Sequence, residues 1–406
     1  MSHRRSLRSR RTAQTAEFER RTRSRSHFSD TESSLAGGST SRSHTSRKVH
    51  KITELLSWLG PRNPLPAGIS GDDVVWLMDN VAFRDHKGAW QAEFVAATFD
   101  QQPSEKVVDI VGDIADKVGL SSGELQEEAI ERRIGPFVMC ILPGRQIKVN
   151  FNGSTPLKLG PTGRNGISSE LKALPAVAGG SVVRSTADVP MGVVGMLEMK
   201  TVFAEPDGWA VISDVDDTIK VTQTSDPIGI LRSTFVSEPT PVAGMPDLYS
   251  RIQDLVKPSA PWFYLSASPY NLYPFLRSFR DAYYPHGQLI LSVSGLLQSL
   301  TMETERYKVD RMEKIHRWLP RRKMICIGDS TQSDPEAYGD IARSFPGWIK
   351  LILIRKVNDI AAIGIEEKNE PERFEKAFDG LPRNLWHVFE DPAGCLQLVQ
   401  QVVEEN

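Results

Sequence analysis

Three carboxylates stand within four positions, at Asp214, Asp216 and Asp217, directly after a short apolar run. Like-charge repulsion makes such a cluster costly at the end of a buried strand unless a cation offsets it, and a divalent metal ion is the obvious candidate. An acidic turn that only caps a strand is the simpler alternative. A calcium loop of the EF-hand type is excluded, because Ile219 and Ser225 stand where that loop requires Gly and Glu.

A second polar group follows an apolar run that starts at Trp262 and stops at Ser266, with Ser268 and Asn271 soon after. The Ser266 hydroxyl and the backbone N–H groups behind it are suited to hold a phosphoryl oxygen at a helix start. Ser and Asn are also ordinary helix N-caps, so a purely structural role remains open.

Lys308 stands near the start of a predicted helix with apolar positions at Val309, Met312, Ile315 and Leu319. The helix dipole disfavours a cation at that end, which suggests that the lysine is there for another purpose. A solvated surface lysine is the alternative.

The last polar group begins with Asp329, directly after an apolar run that ends at Gly328. Asp334 follows five residues later and precedes Pro335, so it is also explained as the cap of a helix. Asp329 has no such structural explanation, and we predict a functional role for it.

The elements that must position these groups alternate between strands and helices from Trp209 onward, which is typical of an α/β domain with a parallel sheet covered on both faces. Ligands bind such sheets beyond the carboxyl ends of the strands, where every unusual polar group of this half lies. The predicted strands are Ala210–Asp214, Trp262–Ser266, Lys323–Gly328 and Ile349–Ile354.

The region before Trp209 shows short strand-like runs separated by Gly and Pro, which predicts a small β-rich, sandwich-like domain. We therefore divide the chain into a tail (1–48), an N-terminal α+β region (52–205) and an α/β domain (206–406). Helices are predicted at Ser104–Val118 and Leu125–Ile134, and strands at Val74–Met78, Trp90–Phe99, Phe137–Leu142, Gln146–Phe151, Ser181–Ser185 and Val193–Phe203.

Residues 1–48 are rich in Arg, Ser and Thr and almost lack large apolar side chains, which predicts disorder. The first 50 residues hold 12 Lys or Arg against 4 Asp or Glu, whereas the remainder is acidic. Four roles remain open: contact with anionic lipid, regulation by phosphorylation, an organelle transit peptide and a solvated linker.

The composition, 40% hydrophobic and 25% charged over 406 residues, is that of a folded protein with room for two domains. No run approaches about 18 consecutive apolar residues, so no bilayer-spanning helix is predicted. The three cysteines are far apart and odd in number, which indicates a reducing compartment. Cys140 and Cys326 lie in apolar runs, and we predict that both are core residues.

In order, the run Asp-x-Asp-x-Thr, a strand ending in Ser, a Lys, and Gly-Asp-x-x-x-x-Asp are similar to the four motifs of the haloacid-dehalogenase-like phosphohydrolase superfamily. This resemblance covers roughly Trp209–Arg355. A narrower resemblance is to the actin-patch phosphatidate phosphatases of fungi and their bacterial relatives. It is carried by 76–80, 90–97, 213–220, 263–271 and 328–338.

The narrower resemblance implies a Mg²⁺-dependent enzyme that converts phosphatidate to diacylglycerol through an aspartyl-phosphate. It implies Asp214 as nucleophile and Asp216 as general acid and then base, with the main-chain carbonyl of Asp216 reaching the metal. Asp214, Asp329 and Asp334 would hold Mg²⁺. Ser266 and Lys308 would neutralise the phosphoryl oxygens. Thr218, Asn271 and Ser268 would serve in orientation or phosphate contact.

The family further implies a cytoplasmic protein peripheral on membranes, linked in fungi to cortical actin patches and endocytosis. The long proline-rich partner-binding tail of the fungal protein is not evident after Trp386, so the actin partnership is without support. No nucleic-acid partner is expected. Only about 26 residues separate the first acid cluster from the helix near Met245, so no large cap domain is predicted over the site.

Alternatives to this interpretation remain. The segment Ile228–Leu231, near Phe235, is either a flap that touches lipid or an ordinary loop. The chain is either a phosphatidate phosphatase, a related phosphatase that acts on phosphoprotein, nucleic-acid ends or soluble phosphoesters, or a non-catalytic lipid-binding scaffold. The presence of all the motif acids argues against the scaffold.

Overall fold

A computed structural model describes Asn63 and residues 66–103, 124–224, 226–257, 259–292, 304–358 and 364–406. The predictions for the tail (1–48) and for the helix Ser104–Val118 lie outside the described residues. Among the described helices, none is both long and apolar enough to cross a membrane.

The N-terminal region contributes eleven described strands that hydrogen bonds join into one mixed, largely antiparallel sheet. The long strand β4 lies within it and pairs with four others. The predicted sandwich stays a prediction, because the hydrogen-bond pattern defines a single sheet. The strands are β1 (Ala67–Gly68), β2 (Asp73–Leu77), β3 (Asn80–Arg84), β4 (Trp90–Pro103), β5 (Met139–Ile141), β6 (Arg145–Phe151), β7 (Thr155–Leu159), β8 (Ile167–Ala173), β9 (Val182–Asp188), β10 (Val194–Met196) and β11 (Glu198–Phe203).

Two predictions fail around the helix α1 (Glu124–Val138). The strand predicted from Phe137 begins only at Met139, because the helix continues through Phe137, whose ring packs edge-on against Phe235 at 5.7 Å. Cys140 is exposed and not a core residue, since β5 is a three-residue strand that pairs only with β4. Cys326 is buried, as predicted.

The second sheet has six strands, and all of its pairings are parallel. Its order is β14-β13-β12-β15-β16-β17, so the chain leaves β12 in one direction and later returns to its other side. The predicted parallel sheet is thereby confirmed, and β17 extends it beyond the strands predicted. The strands are β12 (Trp209–Asp214), β13 (Trp262–Pro269), β14 (Gln288–Ser292), β15 (Lys323–Asp329), β16 (Ile349–Arg355) and β17 (Trp386–Phe389).

Helices cover both faces of the parallel sheet, which gives the mixed α/β architecture predicted. Val211 faces a layer built from α3, α4 and α9, while its neighbours Ala210 and Ile212 face α5, α6 and α8. Burial on both faces explains why these strands are continuously apolar. The helices after α1 are α2 (Pro227–Leu231), α3 (Met245–Val256), α4 (Tyr273–Tyr283), α5 (Thr304–Trp318), α6 (Asp334–Ser344), α7 (Ile365–Lys368), α8 (Pro371–Ala377) and α9 (Cys395–Glu405).

The two sheets pack against each other through aromatic and charged contacts. The ring of Phe99 stacks on Tyr270 with centroids 6.2 Å apart, and Phe83 stacks on Trp318 at 5.2 Å. Between β2 and β3, buried Asp79 reaches Arg277 and Arg280 of α4 at 3.1 and 2.9 Å. The first sheet is therefore fastened to the helix that directly follows the Ser266–Asn271 segment.

Candidate active site

Three neighbouring strands end at one edge of the parallel sheet and carry the predicted site residues there. In the strand register Ser213 lies beside Ile327 and Asp214 beside Leu265. Asp214 and Asp329 therefore lie at the carboxyl ends of adjacent strands, and Ser266 follows Leu265 within β13, next to the end of β12. The edge includes the point where the strand order reverses on either side of β12, which is where open α/β sheets bind their ligands.

Asp214, Asp329 and Asp334 form the core of the site, with one oxygen from each lying within 4.8 Å of the others. All three are buried, and the Lys308 ammonium lies between two of them, 2.7 Å from Asp214 Oδ1 and 2.5 Å from Asp334 Oδ1. One lysine faces three carboxylates, so a cation held by oxygen ligands would complete the charge balance. Mg²⁺ is a hard ion that prefers such ligands.

The pKa values of two of these acids reflect that imbalance. Burial, followed by the charge of Asp334, raises the pKa of Asp214 well above its ordinary value despite the opposing effect of Lys308. Burial and the charge of Asp334 also raise the pKa of Asp329, to about 7. Keeping these carboxylates buried and charged therefore costs folding free energy, which a bound cation would offset.

Lys308 is fully buried, so the surface-lysine alternative is wrong. Burial lowers the pKa of its ammonium, but attraction to Asp214, Asp334 and Asp329 outweighs that effect and raises the pKa overall. The lysine therefore stays charged and fixes the carboxylate of Asp214 in one orientation.

Asp334 does not act as the cap of α6, for which Ser333 is the N-cap residue. Its Oδ2 accepts a hydrogen bond from the Asp329 backbone N–H at 3.1 Å, which folds the intervening loop back toward β15. Gly328 permits this approach, because a Cβ at that position would lie only 2.6 Å from the Asp334 Cβ.

Asp216 lies beside this cluster in a separate hydrogen-bond network. Its Oδ2 accepts from the hydroxyls of Ser266 at 2.7 Å and Ser268 at 3.3 Å, and its Oδ1 accepts from Thr222 at 2.9 Å. The side chain keeps 7% of its surface exposed, whereas Asp214 and Asp329 keep at most 1%. Of the motif acids named so far, Asp216 is therefore the one with most access to a ligand.

Thr218 and Asn271 have different surroundings. The Thr218 hydroxyl lies 3.1 Å from both Asp214 Oδ2 and Asp329 Oδ2, so it bridges the ends of β12 and β15. The Asn271 amide instead donates to the Pro136 carbonyl at 2.7 Å, at the end of α1. The structure thus brings Thr218 into the site and directs the amide nitrogen of Asn271 away, toward the N-terminal region.

Asp217 shapes the loop after β12. It adopts a left-handed backbone conformation with φ of 61°. Its carboxylate accepts from the backbone N–H groups of Thr222, Gln223 and Thr224 at 2.7–2.8 Å and from the Thr224 hydroxyl at 2.6 Å. Arg355 donates to the Asp217 carbonyl at 2.8 Å. This third acid is therefore an organiser of the loop.

Sequence reasoning missed Thr331 and Thr222 as site residues. Thr331 donates to Asp329 Oδ1 through its hydroxyl and, at 2.6 Å, through its backbone N–H, and Thr222 donates to Asp216. Thr331 stands two residues after Asp329, a spacing typical of a local side-chain turn, and this was the available signal. The position of Thr222 depends on the loop around Asp217 and had no comparable signal.

The segment Ile228–Leu231 is the short helix α2, followed by a turn of π-helix at Arg232–Val236. Phe235 is 1% exposed and packs inward, whereas Ile228 is 48% exposed. The Ser233 hydroxyl donates to the Thr222 carbonyl at 2.7 Å, so this segment is attached to the loop that carries Asp216.

Residues 209–356 match the family model described as "Phosphatidate phosphatase APP1, catalytic domain". The match begins at the first residue of β12 and ends one residue after β16, so it contains all the acids and the lysine of the site.

Two fungal proteins are also similar to the chain. Phosphatidate phosphatase APP1 of Saccharomyces cerevisiae is 29% identical over 269 residues, which cover 61% of this chain and 45% of the yeast protein. An uncharacterized protein of Schizosaccharomyces pombe is 28% identical over 156 residues, which cover 37% of this chain and 25% of that protein. The chain thus spans less than half the length of these two relatives.

Proposed function

We propose that the chain is a Mg²⁺-dependent phosphatidate phosphatase with a haloacid-dehalogenase-like catalytic domain. It would hydrolyse phosphatidate to diacylglycerol and phosphate. The observation that carries this proposal is the convergence of Asp214, Lys308, Asp329 and Asp334 in one buried cluster, with Asp216 beside it. The family match of the domain that contains them supports the phosphatase activity, and the name of the yeast relative supports the substrate.

Asp214 is the nucleophile in this mechanism. Its carboxylate is held by Lys308 at one oxygen and by Thr218 at the other, at the end of a central strand. Such preorganisation removes the entropic cost of orienting the attacking group. One Asp214 oxygen attacks phosphorus, the bond to the lipid alkoxide breaks, and the phosphoryl group becomes covalently bound to Asp214.

Asp216 transfers the protons. As an acid it protonates the departing diacylglycerol oxygen, and as the resulting carboxylate it takes a proton from the water that hydrolyses the aspartyl-phosphate. The hydroxyls of Ser266, Ser268 and Thr222 fix the position of its two oxygens. The outcome is release of inorganic phosphate and return of both aspartates to their starting states.

The remaining groups stabilise charge on the transferred phosphoryl group. Lys308 contacts Asp214 and Ser266 contacts Asp216, and both would interact with the oxygens of the phosphoryl group. Asp214, Asp329 and Asp334 would hold Mg²⁺, with the main-chain carbonyl of Asp216. When bound, the ion neutralises phosphoryl charge by acting as a Lewis acid.

A substrate embedded in a membrane requires that the site meet a lipid surface. The described helices between Lys220 and Met245 are α2 and the short π-helical turn, which are too small to form a large cap domain over the site. We therefore propose a cytoplasmic enzyme in peripheral contact with membranes. Attachment of the basic tail to anionic lipid, and a link to cortical actin and endocytosis, remain part of this proposal.

The test is release of inorganic phosphate from phosphatidate in mixed micelles, with and without Mg²⁺. The wild type is compared with Asp214→Asn, Asp216→Asn and Asp216→Glu. We expect Mg²⁺-dependent turnover by the wild type, and a loss on the order of 10⁴-fold when the nucleophile is removed. Asp247→Asn, on the exposed face of α3, is the control and should leave turnover unchanged.

Two results would contradict the proposal in different ways. Turnover of water-soluble phosphoesters but not of phosphatidate would favour another phosphatase with the same chemistry. Turnover that is equal in Mg²⁺ and in EDTA would refute the metal-dependent mechanism.

A further inference from the structure

Two cationic side chains from the C-terminal segment contact the loop that joins Asp329 to Asp334. Arg373 donates through Nη1 to the Ser330 carbonyl and through Nη2 to the Gln332 carbonyl, both at 2.6 Å. Lys368 donates to the carbonyl between them, that of Thr331, also at 2.6 Å. Three consecutive carbonyls of this loop therefore accept hydrogen bonds from α7 and α8.

Arg373 uses its remaining donors on the elements around the loop. It forms a two-point ion pair with Glu336 in the first turn of α6, at 2.8 and 2.9 Å, and it donates to the Lys368 carbonyl at 2.8 Å. A planar guanidinium with five donors in a fixed fork can satisfy all these acceptors at once, which an ammonium cannot. Arg373 thus joins α6, α7 and the loop.

The other side of the same loop holds the carboxylates of the site. The Thr331 N–H donates to Asp329 Oδ1 at 2.6 Å, and the Asp329 N–H donates to Asp334 Oδ2 at 3.1 Å. A peptide unit is planar, so the direction of a carbonyl fixes the direction of the following N–H. Holding the Ser330 carbonyl therefore sets the orientation of the Thr331 N–H, which aims Asp329. Holding the carbonyls of Thr331 and Gln332 fixes the path of the loop that leads to Asp334.

We propose that Arg373 and Lys368 are positioning residues that hold Asp329 and Asp334 in the geometry required for a divalent cation. This inference rests on the proposed function for the existence of that metal site. Both residues lie outside the matched segment 209–356, so the catalytic domain depends on chain that follows it for the shape of its own metal loop.

Packing of α8 does not require Arg373. Phe374 and Ala377 of the same helix are buried, and Phe374 belongs to the core beneath α6. Arg373 itself is only part-buried, with 21% of its side chain exposed. Loss of the guanidinium should therefore release the loop while the helix stays in place.

The experiment measures binding of Mn²⁺ to the full-length, metal-stripped chain by isothermal titration calorimetry, so it does not depend on turnover. The variants are Arg373→Met, Arg373→Lys and Lys368→Met. Lys376→Met is the matched control, because Lys376 is exposed on the same helix. Asp329→Asn removes a proposed ligand and defines the signal of the site. Each variant is titrated well below its melting temperature.

We expect Arg373→Met to weaken Mn²⁺ binding about 10- to 100-fold, the usual cost of losing a group that orients metal ligands. Arg373→Lys and Lys368→Met should show smaller losses, and Lys376→Met none. Wild-type affinity in Arg373→Met and Lys368→Met, with a loss in Asp329→Asn, would overturn the inference and leave the proposed function intact. No Mn²⁺ binding by the wild type would overturn both.

Discussion

Two buried acidic groups in this molecule have opposite charge balance. Asp79, which ties the first sheet to α4, faces the guanidinium groups of Arg277 and Arg280. Asp214, Asp329 and Asp334 share the single ammonium of Lys308. Two guanidinium groups thus contact one fully buried carboxylate in the first cluster, where the partly exposed Asp281 also pairs with Arg280. Three carboxylates share one ammonium in the second cluster.

The pKa shifts follow that balance. Burial raises the pKa of Asp79, but the charges of Arg280 and Arg277 outweigh burial and lower it overall. At Asp214 and Asp329 the single charge of Lys308 does not outweigh burial and the neighbouring acids, and their pKa values rise. A fully paired buried acid serves the fold, whereas an underpaired cluster costs stability and indicates a site that another ion completes.

The largest stability effect that tests this comparison is expected for Asp79→Asn. It leaves Arg277 without its carboxylate and leaves Arg280 with the partly exposed Asp281 alone. Breaking a buried pair in this way costs about 3–5 kcal/mol of unfolding free energy. Urea unfolding of the variant, followed by circular dichroism, measures the loss.

The control for this variant is Asp247→Asn. Asp247 forms an exposed ion pair with Arg251 at 3.9 Å, which should contribute little. Equal stability of the wild type and Asp79→Asn would mean that the Asp79 cluster does not tie the two sheets together.

Ionisation of the acids at the site should instead destabilise the metal-free protein, and the pH dependence of its stability tests this. Because the folded-state pKa of Asp329 is raised to about 7 from an ordinary value of 3.8, its contribution to stability is full below about pH 4 and is lost as pH rises through about 7. The metal-free protein should therefore melt at a lower temperature at pH 8 than at pH 5.5, apart from the effects of other groups.

Two comparisons isolate this effect. Mg²⁺ should restore part of the melting temperature at pH 8, and Asp329→Asn in EDTA should show a weaker pH dependence than the wild type. Asp79 acts in the other direction, because a lowered pKa gives stability that is lost only as the pH falls below about 3.8. An identical slope in EDTA for the wild type and Asp329→Asn would contradict the assignment.

The two clusters also differ in how far sequence could predict them. Asp214, Ser266 and Asp329 each follow an apolar strand, and the carboxyl ends of adjacent parallel strands must meet, so local pattern and topology together predicted their proximity. Lys308 was harder, because its direction depends on how α5 packs on the sheet. Only its position near a helix start suggested a role.

The contacts of Asp79 could not be predicted from local sequence pattern. Its partners lie about 200 positions away on α4, and nothing in the sequence near Asp79 identifies them. Their pairing depends on how two sheets with separate hydrogen-bond networks pack together. The contact of Asn271 with Pro136 could not be predicted for the same reason, because it also connects the N-terminal region to the α/β domain.

The smallest effect is expected for Thr218→Val, which removes a neutral donor and no charge from the site. The Thr218 hydroxyl has one proton for two acceptors, Asp214 and Asp329, each at 3.1 Å. A hydrogen bond to a charged group contributes about 1.5–3 kcal/mol, so kcat should fall about 10- to 150-fold if that bond orients the nucleophile.

Thr218→Ser keeps the hydroxyl and should recover most of the loss, which separates orientation from packing. The same substitution of valine for threonine at Thr240, which is exposed and outside the site, should leave kcat unchanged. If Thr218→Val were instead as active as the wild type, the ion pair with Lys308 alone would hold Asp214. Charge, and not the neutral hydroxyl, would then be what orients the acids at this edge of the sheet.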